Sequence, residues 1–213
     1  MKKIAFSDRY GLTQAVLEGR KTMTRRIIPD IEIDWNRRGR VKLPIKGFGY
    51  GVLFMDTSSI FPDYYFFPAP RKYQPRYEIG EVVAVSQRYK DAINPLDWVN
   101  IEIYKNSPGW TNKMFVIADL MPHRICITDI KLERIQDISE EDCLKEGIME
   151  GEFMNTWDTF YFDQWGDVPN HITFKTPHEA FAALIDSISG RGTWERNPWV
   201  YAYSFELVKE EEQ

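Results

Sequence analysis

The chain has few of the residues that build covalent or metal-bound frameworks. Its 213 residues include two cysteines, Cys126 and Cys143, and three histidines. Two cysteines this far apart do not form the paired spacing of a zinc site or a disulfide framework. The histidines at positions 123, 171 and 178 follow no ligand spacing either. We therefore expect no bound metal and no other cofactor.

Long apolar runs are also missing. No run approaches the roughly 20 residues that a membrane-spanning helix needs. The basic start of the chain is not followed by the apolar stretch of a signal peptide. The composition, 43% hydrophobic and 28% charged, is close to that of ordinary globular proteins. We expect a cytoplasmic protein without a membrane partner, folded as a single domain over residues 1–213.

Positive charge is scarce over most of the chain but concentrated near its N-terminus. The net charge is −5, yet the first 46 residues hold 12 Lys or Arg against 5 Asp or Glu, and the rest hold 15 against 27. A protein that binds long duplex nucleic acid is usually basic throughout. A local basic face on an acidic body favours a small or short ligand, unless the cluster is an ordinary solvated surface.

Alternating apolar residues and helix caps predict more strands than helices. Strands are expected at 2–7, 22–27, 81–87, 98–104, 113–119, 123–135 and 198–208. Helices are expected at 7–19 after Ser7 and Asp8, at 139–147 after Ser139, and at 176–190 after Thr176. We also predict a hairpin near 41–67 and an irregularity of the long strand near Asp129–Ile130. Many strands with few helices favour a small β-barrel with peripheral helices.

Four segments, taken in order, resemble the ASCH domain family of the PUA-like superfamily. They are "GRKTMTRR", "GEVVAVSQ", "ITDIKLERIQDISEEDCLKEGI" and "NPWVYAYSFE". The opening signature of that family, Gly-x-Lys followed by Thr or Glu and then Arg, stands here as Gly19, Lys21, Thr24 and Arg26. The closing segment is similar to that of longer members from phages and Bacteroidetes. Together the segments cover about half of the chain.

The resemblance implies an α+β fold built on a PUA-like closed β-barrel of five to six strands, with peripheral helices. Inserted loops are then expected at about 30–75 and 149–175. The cleft of such a fold suits a pyrimidine nucleoside or RNA, single-stranded or modified. Small bacterial members are N4-acetylcytidine amidohydrolases that use a Lys, a Thr and a Glu. By motif these roles fall on Lys21, Thr24 and Glu146.

The basic cluster and the neighbouring strands supply the expected ligand-binding residues. These are Gly19, Arg20, Thr22, Arg25, Arg26 and Gln87. Gln87 stands where many longer relatives have a carboxylate, which puts any role of that acid in doubt here. The aromatic residues of 149–175, among them Trp157, Phe160, Tyr161 and Trp165, either stack on bases or cover the core.

The chemistry of these residues is compatible with amide hydrolysis. A threonine hydroxyl becomes a useful nucleophile beside a neutral amine, and burial or nearby cations lower the pKa of a lysine. Glu146 is expected to orient Lys21 or the exocyclic nitrogen of cytosine, or to protonate the leaving group. Lys21 and Arg26 are equally explained as ordinary cations at a helix C-terminus, and Thr24 as an ordinary strand residue.

Two other functions remain open at this point. One is a non-catalytic RNA-binding module with a positive groove along Arg37, Arg38 and Arg40. The other is a phage-derived interaction protein whose insertions carry the function. A catalyst should shield Lys21 within reach of Thr24 and Glu146, whereas a binding module can leave Lys21 in water.

Overall fold

The computed structural model describes residues 1–28, 51–56, 63–68, 74–153, 156–162 and 172–208. The strands of this part are β1 (Lys3–Ile4), β2 (Met23–Ile27), β3 (Gly51–Asp56), β4 (Asp63–Pro68), β5 (Val82–Val85), β6 (Arg124–Arg134), β7 (Met149–Phe153), β8 (Thr156–Tyr161) and β9 (Trp199–Leu207). The helices are α1 (Leu12–Leu17), α2 (Tyr89–Ala92), α3 (Trp98–Tyr104), α4 (Glu140–Lys145), α5 (Pro177–Ser189) and α6 (Thr193–Arg196). The predicted α+β class is confirmed.

A five-stranded mixed sheet forms the centre of the fold, in the order β1-β5-β6-β9-β2. The pairing of β1 with β5 is parallel, and the other pairings are antiparallel. The register of β6 against β9 shifts between Ile127 and Asp129, which confirms the predicted irregularity of the long strand. The hairpins β3–β4 and β7–β8 form separate two-stranded sheets.

The two edges of the central sheet approach each other. Arg26 of β2 donates a hydrogen bond from Nη2 to the carbonyl of Ala5, which follows β1, at 2.8 Å. Among the described residues no backbone pairing joins β1 to β2. The closed barrel therefore stays a prediction. The described strands form an open sheet, and the Arg26 side chain links its two edges.

Helix α5 covers one side of the central sheet. Thr176 caps its first turn by accepting a hydrogen bond from the backbone N–H of Glu179. Phe181, Leu184 and Ile185 are buried in the core with strand residues, and their three- and four-residue spacing places them on one helix face. The predicted helix over 176–190 is confirmed. No helix in the described part of the chain is both long and apolar enough to cross a membrane.

Helix α4 follows the long strand as predicted. The Ser139 side chain accepts a hydrogen bond from the backbone N–H of Asp142. The first turn of α4 carries three acidic residues, which the positive end of the helix dipole stabilises. The predicted helix over 7–19 is shorter than expected, because Gly11 adopts a left-handed conformation and separates α1 from a 3₁₀ turn at Asp8–Tyr10.

Two strand predictions are wrong. Residues 98–104 form α3, and residues 113–119 contain short 3₁₀ turns. Local capping decides both cases, because the side chain of Asp97 accepts from the N–H of Asn100 and that of Asn112 accepts from the N–H of Met114. Trp98 is 71% exposed, so the apolar alternation of this segment does not reflect a buried strand face.

The expected insertions are described only in part. Antiparallel pairing of β3 with β4 confirms a hairpin in the region predicted near 41–67. In the second insertion, β7 pairs with β8, and Phe160 forms a bridge with Phe174 and packs against the core. The side chain of Trp157, the residue Trp165 and the arginines predicted to extend the groove, Arg37, Arg38 and Arg40, lie outside the described residues.

Candidate functional site

Lys21 is fixed between the ends of two helices. Its backbone N–H donates to the carbonyl of Ala15 in α1 at 2.9 Å, and the N–H of Thr22 donates to the carbonyl of Lys145 in α4 at 3.0 Å. Gly19 makes this path possible by adopting a left-handed conformation with φ of 73°. The side chain of Lys21 is therefore directed inward, and the residue is only 2% exposed.

Glu146 receives the Lys21 ammonium at the end of α4. Lys21 Nζ donates to Glu146 Oε2 at 2.6 Å and to the Glu146 carbonyl at 2.7 Å. The second bond satisfies a carbonyl that the helix end leaves without an intrahelical donor. The chain then turns at Gly147, with φ of 102°, where a Cβ atom would lie 3.1 Å from Leu12 Cδ2. A glycine at this position lets the helix end approach Lys21 closely.

Arg25 binds the other oxygen of Glu146. Its Nη1 lies 3.2 Å from Glu146 Oε1, its Nη2 lies 3.2 Å from Asp142 Oδ2, and its Nε donates to Glu133 Oε1 at 2.8 Å. The Arg25 side chain is 1% exposed. Lys21 and Arg25 together hold the Glu146 carboxylate in one orientation inside the protein.

The register of the sheet explains how Arg25 reaches Glu133. Arg25 of β2 lies opposite Ala202 of β9, and Ala202 lies opposite Lys131 of β6. Residues opposite each other share a sheet face, and Glu133, two positions beyond Lys131, is on that face as well. Because Ala202 is small, it leaves room for the Arg25 side chain to cross β9.

Burial changes the acid–base properties of this cluster. Loss of water around the ammonium lowers the pKa of Lys21; Glu146 opposes this shift, while Arg26 and Arg25 add to it. Burial likewise raises the pKa of the neighbouring Cys143 thiol to about 12. Cys143 therefore stays protonated near neutral pH and is a poor nucleophile, whereas the lowered pKa makes the neutral amine form of Lys21 more accessible than that of an exposed lysine.

We expect Lys21 to titrate below the ordinary lysine value of about 10.4, because desolvation destabilises its charged form. Between the two values the unfolded chain binds more protons than the folded protein, so this group makes the free energy of unfolding rise with pH in that window. Side-chain ¹⁵N NMR measures the titration, and the Lys21→Met variant identifies the resonance. A Lys21 signal that titrates at or above the ordinary value contradicts this prediction.

Thr24 has a buried hydroxyl without a hydrogen-bond partner among the described residues. The residue lies in the middle of β2, opposite Tyr203 of β9, and is 5% exposed. Other buried threonines, such as Thr13 and Thr193, donate to nearby oxygens. Within the described part of the chain, the Thr24 hydroxyl makes no hydrogen bond. An unpaired buried polar group costs free energy. A ligand that bonds to the Thr24 hydroxyl would remove this cost.

One cavity brings the three predicted catalytic residues together. Lys21, Thr24 and Glu146 all line a space of about 250 Å³ between β2, α4 and α5. Phe6 and the apolar side chains Leu184 and Ile185 of α5 form the opposite wall. Ligand pockets usually measure about 300–1,000 Å³, so this cavity fits a base or a small acyl group rather than a longer polymer.

The predicted ligand-binding residues divide into two groups. Arg25 and Arg26 line the cavity, and Arg26 is exposed while Arg25 is enclosed by carboxylates. The other four do not line it: Gly19, Arg20, Thr22 and Gln87. Gly19 shapes the turn, Arg20 pairs with Glu18 at 2.6 Å, and Thr22 contributes backbone hydrogen bonds.

Gln87 lies in a different cavity, of about 680 Å³, beside Thr13 and Arg88. Its Oε1 is 2.7 Å from His123 Nδ1, so the structure pairs these two residues and does not bring Gln87 to Lys21. Sequence analysis also missed the apolar wall of the site, Phe6 and the face of α5. The cap at Thr176 predicted the helix itself but not which cavity its apolar face would border.

The described residues contain no group of three or more His, Cys, Asp or Glu side chains arranged to hold a metal ion. The carboxylates of Glu133, Asp142 and Glu146 are instead arranged around the Arg25 guanidinium. Comparison of the chain with protein-family models, curated proteins and solved structures found no match.

Proposed function

We propose that the protein hydrolyses the N4-acyl amide of N4-acetylcytidine in the cavity of Lys21, Thr24 and Glu146. The resemblance to the ASCH family suggests the substrate, and the site chemistry is compatible with it. The observation that carries the proposal is that buried Lys21 lines one cavity with Thr24, whose hydroxyl makes no hydrogen bond within the described residues. A residue that only attracts phosphates has no need to be desolvated.

Thr24 acts as the nucleophile in this proposal. Its Oγ bonds to the amide carbon while its proton passes to neutral Lys21 Nζ. Collapse of the tetrahedral intermediate breaks the carbon–nitrogen bond, and the Lys21 ammonium returns the proton to the N4 amine of cytidine. Water then hydrolyses the acyl ester of Thr24, so that one water is consumed and cytidine and acetate are released.

Glu146 and Arg26 have supporting roles. Glu146 fixes the Lys21 ammonium through two hydrogen bonds, which limits the positions from which Lys21 can exchange a proton. Arg26 is the exposed guanidinium of the same cavity and is available to the oxyanion that forms during acyl transfer. Leu184 and Ile185 offer an apolar surface to the acyl methyl group.

The closed barrel implied by the resemblance belongs to the same proposal. The hydrogen bond from Arg26 to the carbonyl of Ala5 supports it, because it links the two edge strands of the central sheet. The cavity lies where β2 and the end of β1 meet, because Arg26 and Ala5 both line it.

Incubation of the purified protein with a panel of N4-acylated cytidines tests the proposed reaction. We expect release of cytidine and the free acid, measured by chromatography, and loss of release in the Lys21→Ala variant. Circular dichroism of the variant must show that it is folded. Binding of cytidine by the wild-type protein without release of any acid would favour the non-catalytic nucleoside- or RNA-binding module instead.

A further inference from the structure

A second cavity, of about 400 Å³, adjoins the candidate site. The two cavities share Ala5, Arg26 and Ile27 in their walls. The second one is floored by buried tyrosines, including Tyr77, and is bordered by Arg76. A ligand in the first cavity therefore lies next to the second one, with Arg26 at the border of both.

Arg26, at the shared border, and Arg76, in the wall of the second cavity, are both exposed arginines. Arg26 donates to a backbone carbonyl and lies 5.7 Å from the Phe6 ring centre, and Arg76 lies 5.6 Å from that of Tyr77. In the described ranges neither arginine has a carboxylate partner. Arg25, in contrast, is bound by three carboxylates. Among the described residues, therefore, no ion pair neutralises Arg26 or Arg76.

The two guanidiniums are close enough to influence each other. Arg26 is exposed to solvent. Many protein atoms surround its guanidinium, but an anion can reach it because part of its surface is accessible. Desolvation lowers the pKa of Arg26; Tyr77 and Glu146 oppose this shift, and the positive charge of Arg76 adds to it. Two like charges at one cavity repel each other, and an anion between them removes that repulsion.

Backbone and side-chain hydrogen bonds hold the Arg76 segment near Thr24, the proposed nucleophile. Its backbone N–H donates to the hydroxyl of Tyr203 at 2.9 Å, and Tyr203 lies opposite Thr24 in the pairing of β9 with β2. The next residue, Tyr77, donates its hydroxyl to the carbonyl of Lys3 in β1 at 3.0 Å. These bonds attach the Arg76 segment to the edge strand β1 and to β9, the strand that pairs with β2 and Thr24.

We propose that the adjoining cavity binds a phosphate group of the substrate between Arg26 and Arg76, so that the protein acts on an acylated cytidine nucleotide in preference to the free nucleoside. This inference rests on the proposed function, because it names the substrate class of the same site. Arginine pairs are well suited to phosphate, since each guanidinium presents a planar fork of donors to the phosphate oxygens.

Competition between substrates tests this inference. We expect kcat/KM for N4-acetylcytidine 5′- or 3′-monophosphate to exceed that for N4-acetylcytidine by roughly tenfold, the gain of one charge-assisted contact. Arg76→Gln should bring this ratio close to one, and Arg76→Lys should restore part of it. Arg124→Gln is the matched control, because Arg124 is an exposed strand arginine that lines neither cavity. Equal kcat/KM values for nucleotide and nucleoside overturn the inference while leaving the hydrolase intact.

A binding measurement separates the inference from the reaction. Calorimetry with cytidine and with cytidine 5′- and 3′-monophosphate needs no hydrolysis. We expect one of the monophosphates to bind roughly tenfold more tightly than cytidine at low salt, with the difference lost in Arg76→Gln and reduced at high salt. Equal affinities, or no binding of either monophosphate, overturn the inference. A cytidylyl dinucleotide that binds as tightly as the monophosphate identifies an RNA phosphodiester as the source of the anion.

Discussion

Replacement of Glu146 by Gln is expected to lower the free energy of unfolding by about 3–5 kcal/mol, as is typical when one partner of a buried ion pair is removed. Gln has nearly the shape of Glu, so the change removes the charge without opening a cavity. Lys21 then loses its carboxylate partner inside the protein, and Arg25 loses one of three. Part of the cost disappears if Lys21 gives up its proton.

Urea unfolding followed by circular dichroism measures this effect. Glu141→Gln is the matched control, because Glu141 belongs to the same helix but pairs with Lys145 on the surface, where an ion pair contributes little. Adding Lys21→Met to Glu146→Gln should recover stability, since it removes the ammonium that was left without a partner. Wild-type stability of Glu146→Gln would show that the cluster is hydrated rather than buried.

Thr24→Val is expected to abolish hydrolysis of N4-acetylcytidine, by roughly 10³-fold or more, while leaving the fold intact. The activity loss follows from removal of the nucleophilic oxygen. The fold is unaffected because the Thr24 hydroxyl makes no hydrogen bond within the described part of the chain, and because valine is also β-branched and suits a strand. Stability equal to or above that of the wild-type protein is therefore expected.

The assay follows cytidine release by the variant and its urea unfolding in parallel. Thr128→Val provides the control, because Thr128 is an exposed strand threonine in the irregular part of β6 and lies outside the cavity. Hydrolysis at the wild-type rate by Thr24→Val would exclude Thr24 as the nucleophile. A large loss of stability in this variant would instead show that its hydroxyl has a structural partner.

Much of the local structure could be predicted because local chemistry determines it. The caps at Ser139 and Thr176 and the left-handed Gly19 act within a few residues of chain, and each is found where the sequence placed it. The same locality explains the errors at 98–104 and 113–119. There an apolar alternation favoured strands, but side-chain caps at Asp97 and Asn112 started helical turns.

The candidate site was predictable to the extent that it lies in one short segment. Lys21, Thr24 and Arg26 come from a single turn and strand, and all three line the same cavity. Gln87 follows the end of β5, and a strand end can face either of two cavities. It lines the cavity of about 680 Å³ rather than the one with Lys21, and it pairs with His123. No local pattern pointed to Arg76, because its relation to Thr24 depends on Tyr203.

The caps of α4 and α5, the long strand with its irregularity, and the concentration of positive charge near the N-terminus thus follow from local sequence. Which of those charges are neutralised depends on long-range packing. Glu146 is 125 residues from Lys21 along the chain, and a contact over that distance depends on how α4 packs and where Gly147 turns. Burial then sets the chemistry, because the same ammonium that would remain charged in water has its pKa lowered once the fold removes that water.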